Sequence, residues 1–251
     1  MKVSRKIINQ KYFKYKDTLD DIIIKFDNKN FETIKKERNT LKIFDLGKNK
    51  IVVKSFKVPN ILNKIIYTFF KKTKAERSYN YAKKLLKLKI NTAYPIGFYV
   101  TKNNQLIHRT FYICEYIDFD YTFDDFILKK FQFEKVTRLF SEFSYNLHQK
   151  NINFIDNTPG NTLIVTKENS FDFFLVDLNR MKFEKMTFKK RMKNLSKLTT
   201  DLKIINAVSE KYSKKINIDS DIVFKKIKFY MEKFQNNLNR KKKIKKKLGI
   251  G

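Results

Sequence analysis

Asp156 and Asn161 stand five residues apart in NINFIDNTPGNTLIV, residues 151–165, and Asp177 follows sixteen residues after Asn161, at the end of the apolar run FFLV. These side chains stand out in a chain whose formal charge is +31. A carboxylate and an amide on one turn, with a second carboxylate at a strand end, supply hard oxygen ligands for Mg²⁺ and a group to orient an attacking hydroxyl. Phosphoryl transfer needs those two things and little covalent help. Lys54, inside the strand-like IVVKSF, adds a cation suited to the α- and β-phosphates of ATP, and Glu76 is the candidate carboxylate to steady it.

Each of these residues also has a plain structural explanation. Asp156-Asn157-Thr158-Pro159-Gly160-Asn161 is rich in the commonest turn formers. Lys54 would then be an outward lysine on an amphipathic strand, and Glu76 a solvated partner of Arg77. Order along the chain favours the chemical reading. Phe133, Val136, Phe140, Phe143 and Leu147 follow helical spacing, and then come the loop, a short hairpin and Asp177. His148, at the end of that helix, reads as a packed brace for the loop, and Cys114 as core filler. One cysteine and two histidines leave no disulfide framework and no zinc cluster.

The elements that must hold these residues are legible in outline. TLKIFDLGKNKIVVKSF, residues 40–56, predicts a hairpin turning around Gly47. Residues 74–88 predict a helix, 96–100 and 110–117 two strands, and the acidic stretch 118–125 a boundary. Residues 163–165 and 173–176 flank a second small hairpin, and Asp219 or Ser220 caps a long final helix. The expected class is α+β: a small β-rich N-terminal lobe, residues 1–117, and a larger helical C-terminal lobe, residues 118–251.

RKKKIKKK, residues 240–247, carries seven of the positive charges, so +24 belongs to the rest of the chain and an anionic partner is expected. MKVSRKIINQKYFKYKD is charged and lacks the apolar core of a signal peptide, and nowhere does an uncharged run reach membrane-spanning length. A cytoplasmic protein is expected. ILNKIIYTFFKK, residues 61–72, reads either as a packing helix or as a membrane-surface anchor.

IVVKSFKVPNILNKIIYTFFKKTKAERSYNYAKKLL, LHQKNINFIDNTPGNTLIV and FFLVDLNRMKF together resemble the lipopolysaccharide kinase family, the InaA/WaaP and Kdo-kinase group, over most of residues 38–195. The resemblance implies a bilobal protein-kinase-like fold that uses ATP and Mg²⁺ to phosphorylate a Kdo or heptose hydroxyl of the lipopolysaccharide inner core. It implies Asp156 as the catalytic residue, Asn161 and Asp177 as metal ligands, and Lys54 at the nucleotide. Arg180 belongs to the D-L-N-R signature. The implied partner is an anionic glycolipid met at the inner face of the inner membrane.

The pattern also departs from protein kinases. Phe154 and Ile155 stand where histidine and arginine commonly precede the catalytic aspartate, Thr158 replaces a lysine, and KKERNT, residues 35–40, has no phosphate-loop glycine. The missing lysine suits sugar and small-molecule kinases. Two other readings stay open: a kinase-like enzyme for another small molecule or a protein, and a non-catalytic basic nucleic-acid-binding protein, which has no use for three metal-type ligands.

Overall fold

Alternating apolar and polar residues build a sheet from the first part of the chain, and helical periodicity dominates the rest. The computed structural model describes residues 2–28, 33–36, 39–57, 60–69 and 71–247. Two compact units form: Met1–Asp118 with Asp177–Asn179, and Phe119–Val176 with Arg180–Gly251.

The first unit runs β1 (Lys2–Ile8), α1 (Lys16–Ile24), β2 (Thr33–Lys36), β3 (Asn39–Leu46), β4 (Asn49–Lys57), α2 (Ile61–Phe69), α3 (Lys74–Lys87), β5 (Pro95–Asn103) and β6 (Leu106–Glu115). Its sheet has the order β1-β5-β6-β4-β3-β2, and every neighbouring pair is antiparallel. The expected hairpin is β3–β4, closed where Leu46 faces Asn49. Gly47 turns it at φ +64°, in the left-handed region that penalises a Cβ.

In β4 the period of two places Ile51 and Val53 in a core with Leu19 and Ile23 of α1 and with Phe111 and Ile113 of β6. Lys54 therefore belongs to the opposite face. Thr73 caps α3 by accepting from the Glu76 amide at 3.2 Å, and Tyr79 of α3 meets Phe98 of β5 edge-on at 5.6 Å. The edge strand β1 has no counterpart in the sequence reading, because KVSRKII is mostly polar and only alternates weakly. Glu37 and Arg38 of the KKERNT stretch lie outside the described residues, as do Val58, Pro59 and Phe70 of the KVPN to TFFKK stretch.

The second unit runs β7 (Tyr121–Thr122), α4 (Phe123–Lys129), α5 (Phe133–Gln149), β8 (Ile152–Asn153), β9 (Thr162–Lys167), β10 (Ser170–Leu175), β11 (Lys182–Phe183), α6 (Phe188–Leu195), α7 (Leu202–Ile216) and α8 (Ser220–Lys247). Strands β10-β9-β7 form one small sheet and β11-β8 another. The predicted apolar stripe of α5 is its packing face: Phe140 is buried, with ring centroids 4.4 Å from Phe123 and 5.4 Å from Phe173. Truncating such a residue to alanine costs about 3–5 kcal/mol.

Asp219 starts α8 by accepting from the Asp221 amide at 2.8 Å, and Val223, Ile227, Tyr230 and Met231 bury one side of the helix. Its last turns carry RKKKIKKK and are exposed wherever described. No helix among the described residues is long and apolar enough to cross a membrane.

Candidate active site

In the first unit, Lys54 reaches Asp177. Its Nζ lies 2.7 Å from Asp177 Oδ1, and the lysine side chain is only 12% exposed. The same oxygen accepts from Asn179 Nδ2 at 2.5 Å, while Asp177 Oδ2 has no hydrogen-bond partner among the described residues. Asp177 sits at φ +58°, a left-handed conformation that aspartate tolerates better than most residues. Backbone outliers of this kind gather at functional sites, where surrounding contacts hold them in place.

Glu76 is placed differently from the sequence expectation. It is buried in the first turn of α3 and its Oε2 accepts from Arg5 Nη2 of β1 at 2.7 Å. No ion pair among the described residues joins it to Lys54.

In the second unit, the loop from Asp156 to Asn161 is tied to itself. Asn161 Nδ2 donates to the Asp156 carbonyl at 2.9 Å and to Thr158 Oγ1 at 3.1 Å. Thr158 and Asn161 amides close the turn on the Asp156 and Thr158 carbonyls at 2.7 and 3.0 Å. The residue that replaces the protein-kinase lysine is thus used to orient Asn161, whose amide oxygen is left without a partner among the described residues. Asp156 Oδ1 pairs with Arg180 Nη1 at 3.0 Å, and Oδ2 is unengaged among the described residues.

Behind the loop lies a buried polar chain that sequence reading reached only at His148. Asn194 of α6 donates to the Phe154 carbonyl at 2.6 Å, and its Oδ1 faces His148 Nε2 at 3.0 Å and Asn157 Nδ2 at 3.2 Å. Tyr212 of α7 lies 2.6 Å from His148 Nδ1. An amide oxygen can only accept, so His148 carries its proton on Nε2 and accepts from Tyr212 on Nδ1. Burial lowers the His148 pKa to about 4, which keeps the ring neutral and the chain of donors fixed. Asn157, Asn194 and Tyr212 had no local signal, since their partners lie far along the chain.

Asp177 in the first unit offers an anionic oxygen and Asn161 in the second a neutral one, each of a type that Mg²⁺ accepts. No group of three or more His, Cys, Asp or Glu suited to a metal occurs among the described residues.

Residues 34–217 match the lipopolysaccharide kinase (Kdo/WaaP) family. The chain belongs to that family. The solved structure of WaaP in complex with acyl carrier protein overlays with a TM-score of 0.62 at 12% identity, over 91% of this chain and 98% of that one, and the shared fold is kinase-like. The Rio2 kinase of Chaetomium thermophilum, solved with ADP, Mg²⁺ and phosphoaspartate, gives a TM-score of 0.48 at 9% identity over 84% of this chain and 65% of that one. No curated protein matches by sequence. Membership in the Kdo/WaaP family supports a phosphotransferase of the lipopolysaccharide core.

Proposed function

We infer that this Kdo/WaaP-family kinase transfers the γ-phosphoryl group of ATP to a sugar hydroxyl, Kdo or heptose, of the lipopolysaccharide inner core. The contact between Lys54 and Asp177 at 2.7 Å carries the reading. It joins a strand cation suited to phosphate with a carboxylate suited to Mg²⁺, residues far apart in sequence.

In this reading Lys54 holds the α- and β-phosphates. Asn161 and Asp177 would hold Mg²⁺, which when bound neutralises charge on the β- and γ-phosphate oxygens. Asp156 orients the sugar hydroxyl through its free Oδ2 and takes its proton as the new O–P bond forms. The bond from the γ-phosphorus to the bridging oxygen breaks, and ADP departs with that electron pair. Arg180 fixes the other oxygen of Asp156, and the buried chain through His148 and Asn194 fixes the loop behind it.

The charge of +31 supports an anionic glycolipid as substrate and peripheral contact with the inner face of the inner membrane. The exposed basic end of α8, and Ile65 and Ile66 of α2 at 39% and 36% exposed, are surfaces suited to that contact.

Mass spectrometry of core oligosaccharide from cells with and without the protein tests the reading. One phosphate per core should be missing without it, and identical core masses would overturn it.

A further inference from the structure

A cavity of about 280 Å³ opens in the second unit beside α6, α8 and the loop at Ile155, close to the lower end of the range of roughly 300–1,000 Å³ for small-molecule pockets. Lys190, Lys193, Lys197 and Lys233 line it, and no acidic residue does. Two of the four are already engaged. Lys190 pairs with Glu184 at 2.8 Å, and Lys197 donates to the Ile155 carbonyl at 2.5 Å. Lys193 and Lys233 make no ion pair with any described residue.

Gathering like charges around a concavity costs free energy and focuses a positive potential into it. At Lys197 burial is the main cause that lowers the pKa, against the pull of Asp156, and the neighbouring Arg180 and Lys193 cations lower it further. Two aromatic rings share the wall with Asn153, Asn194, Ser196 and Asn237: Tyr230 lies beneath Lys193 at 5.3 Å, and Phe234 beneath Lys197 at 5.8 Å. Flat rings beside unanswered cations suit a sugar that presents C–H groups on one side and an anion on the other. Ile155 immediately precedes Asp156, so a group held here lies one residue along the chain from the proposed base.

We propose that this cavity is a subsite for an acidic sugar of the acceptor, holding a carboxylate or phosphate through Lys193 and Lys233 beside the sugar that is phosphorylated. The assignment rests on the kinase reading above for its acceptor, but its binding test is independent of turnover. The full chain is titrated calorimetrically with deacylated core oligosaccharide in the absence of nucleotide. The double variant K193Q/K233Q is expected to bind roughly ten-fold or more weakly, and K193R/K233R to restore binding. Unfolding midpoints of all variants accompany the titrations, so that a folding defect is recognised and the arginine pair decides.

Oligosaccharide with methyl-esterified carboxylates and oligosaccharide stripped of phosphate identify which anion is held, by which of them loses affinity. The proposal is overturned if wild-type protein does not bind, if K193Q/K233Q binds as tightly as wild type, or if K241Q/K242Q, which removes the same charge at the far end of α8, loses as much. Binding that depends on the two lysines without any transfer from ATP would remove the kinase reading and leave the subsite standing. Transfer with lysine-independent binding would do the reverse.

Discussion

Lys54 donates to Asp177 across 2.7 Å, and residues 177–179 belong to the first unit although the chain on both sides of them belongs to the second. Lys54→Met should therefore weaken both nucleotide binding and turnover. A charge-assisted hydrogen bond contributes about 1.5–3 kcal/mol, so kcat/KM is expected to fall by roughly 10- to 100-fold or more. Nucleotide titration and steady-state kinetics on the same preparation check it, and unchanged values would remove Lys54 from the site.

Arg5, not Lys54, answers the buried Glu76, and the Arg5 side chain is half exposed at 52%. Solvent screens such a pair, so Arg5→Gln is expected to cost about 1 kcal/mol or less and to leave transfer within about two-fold. Glu76→Gln is expected to lower kcat/KM further than Arg5→Gln does, because Glu76 sits on the helix packed beside the lysine-bearing sheet. Equal effects of the two variants on kcat/KM and on urea unfolding would confine Glu76 to a structural role.

His148 gives stability a pH dependence with a definite sign. Its folded pKa is lowered to about 4 from an ordinary 6.5, so between those values the unfolded chain binds a proton that the folded chain refuses. Stability is thus complete above about pH 6.5 and falls as pH drops toward 4, by about 3 kcal/mol in all. Denaturant unfolding from pH 7.5 to 4.5 checks this. His148→Gln, which can still donate to Asn194, should flatten the profile, and an unchanged slope in that variant would place the titration elsewhere.

Gly97 of β5 pairs with Ile8 of β1, and a Cβ there would meet the Ile7 carbonyl oxygen at 2.5 Å. Backbone cannot yield as a flexible side chain does. Gly97→Ala should push β1 away, costing roughly 1–3 kcal/mol as overpacking usually does, and hydrogen exchange should rise across residues 2–8. Wild-type exchange in β1 of that variant would contradict the packing.

The parts of the fold that were legible in sequence are those set by local pattern. The alternation around Lys54 gave the hairpin, and the stripe from Phe133 to Leu147 gave α5, because each periodicity needs only neighbours along the chain. β1 escaped because an edge strand with charged side chains has no apolar alternation to announce it. At the site, the types and spacing of Asp156, Asn161 and Asp177 could be read directly, whereas their supports could not. Asn194 is a buried asparagine whose partners Phe154 and His148 lie 40 and 46 residues away, and Arg5 meets Glu76 across 71 residues. Such pairings exist only once the chain has folded.

The most direct measurement compares wild type with Asp156→Ala for Mg²⁺-dependent transfer of labelled phosphate from ATP to extracted core lipid. The wild type should label the lipid only when Mg²⁺ is present. Asp156→Ala should lose at least about 100-fold in rate, within the range a positioned general base contributes, while keeping its unfolding midpoint and ATP affinity. Transfer by Asp156→Ala at the wild-type rate would contradict the account.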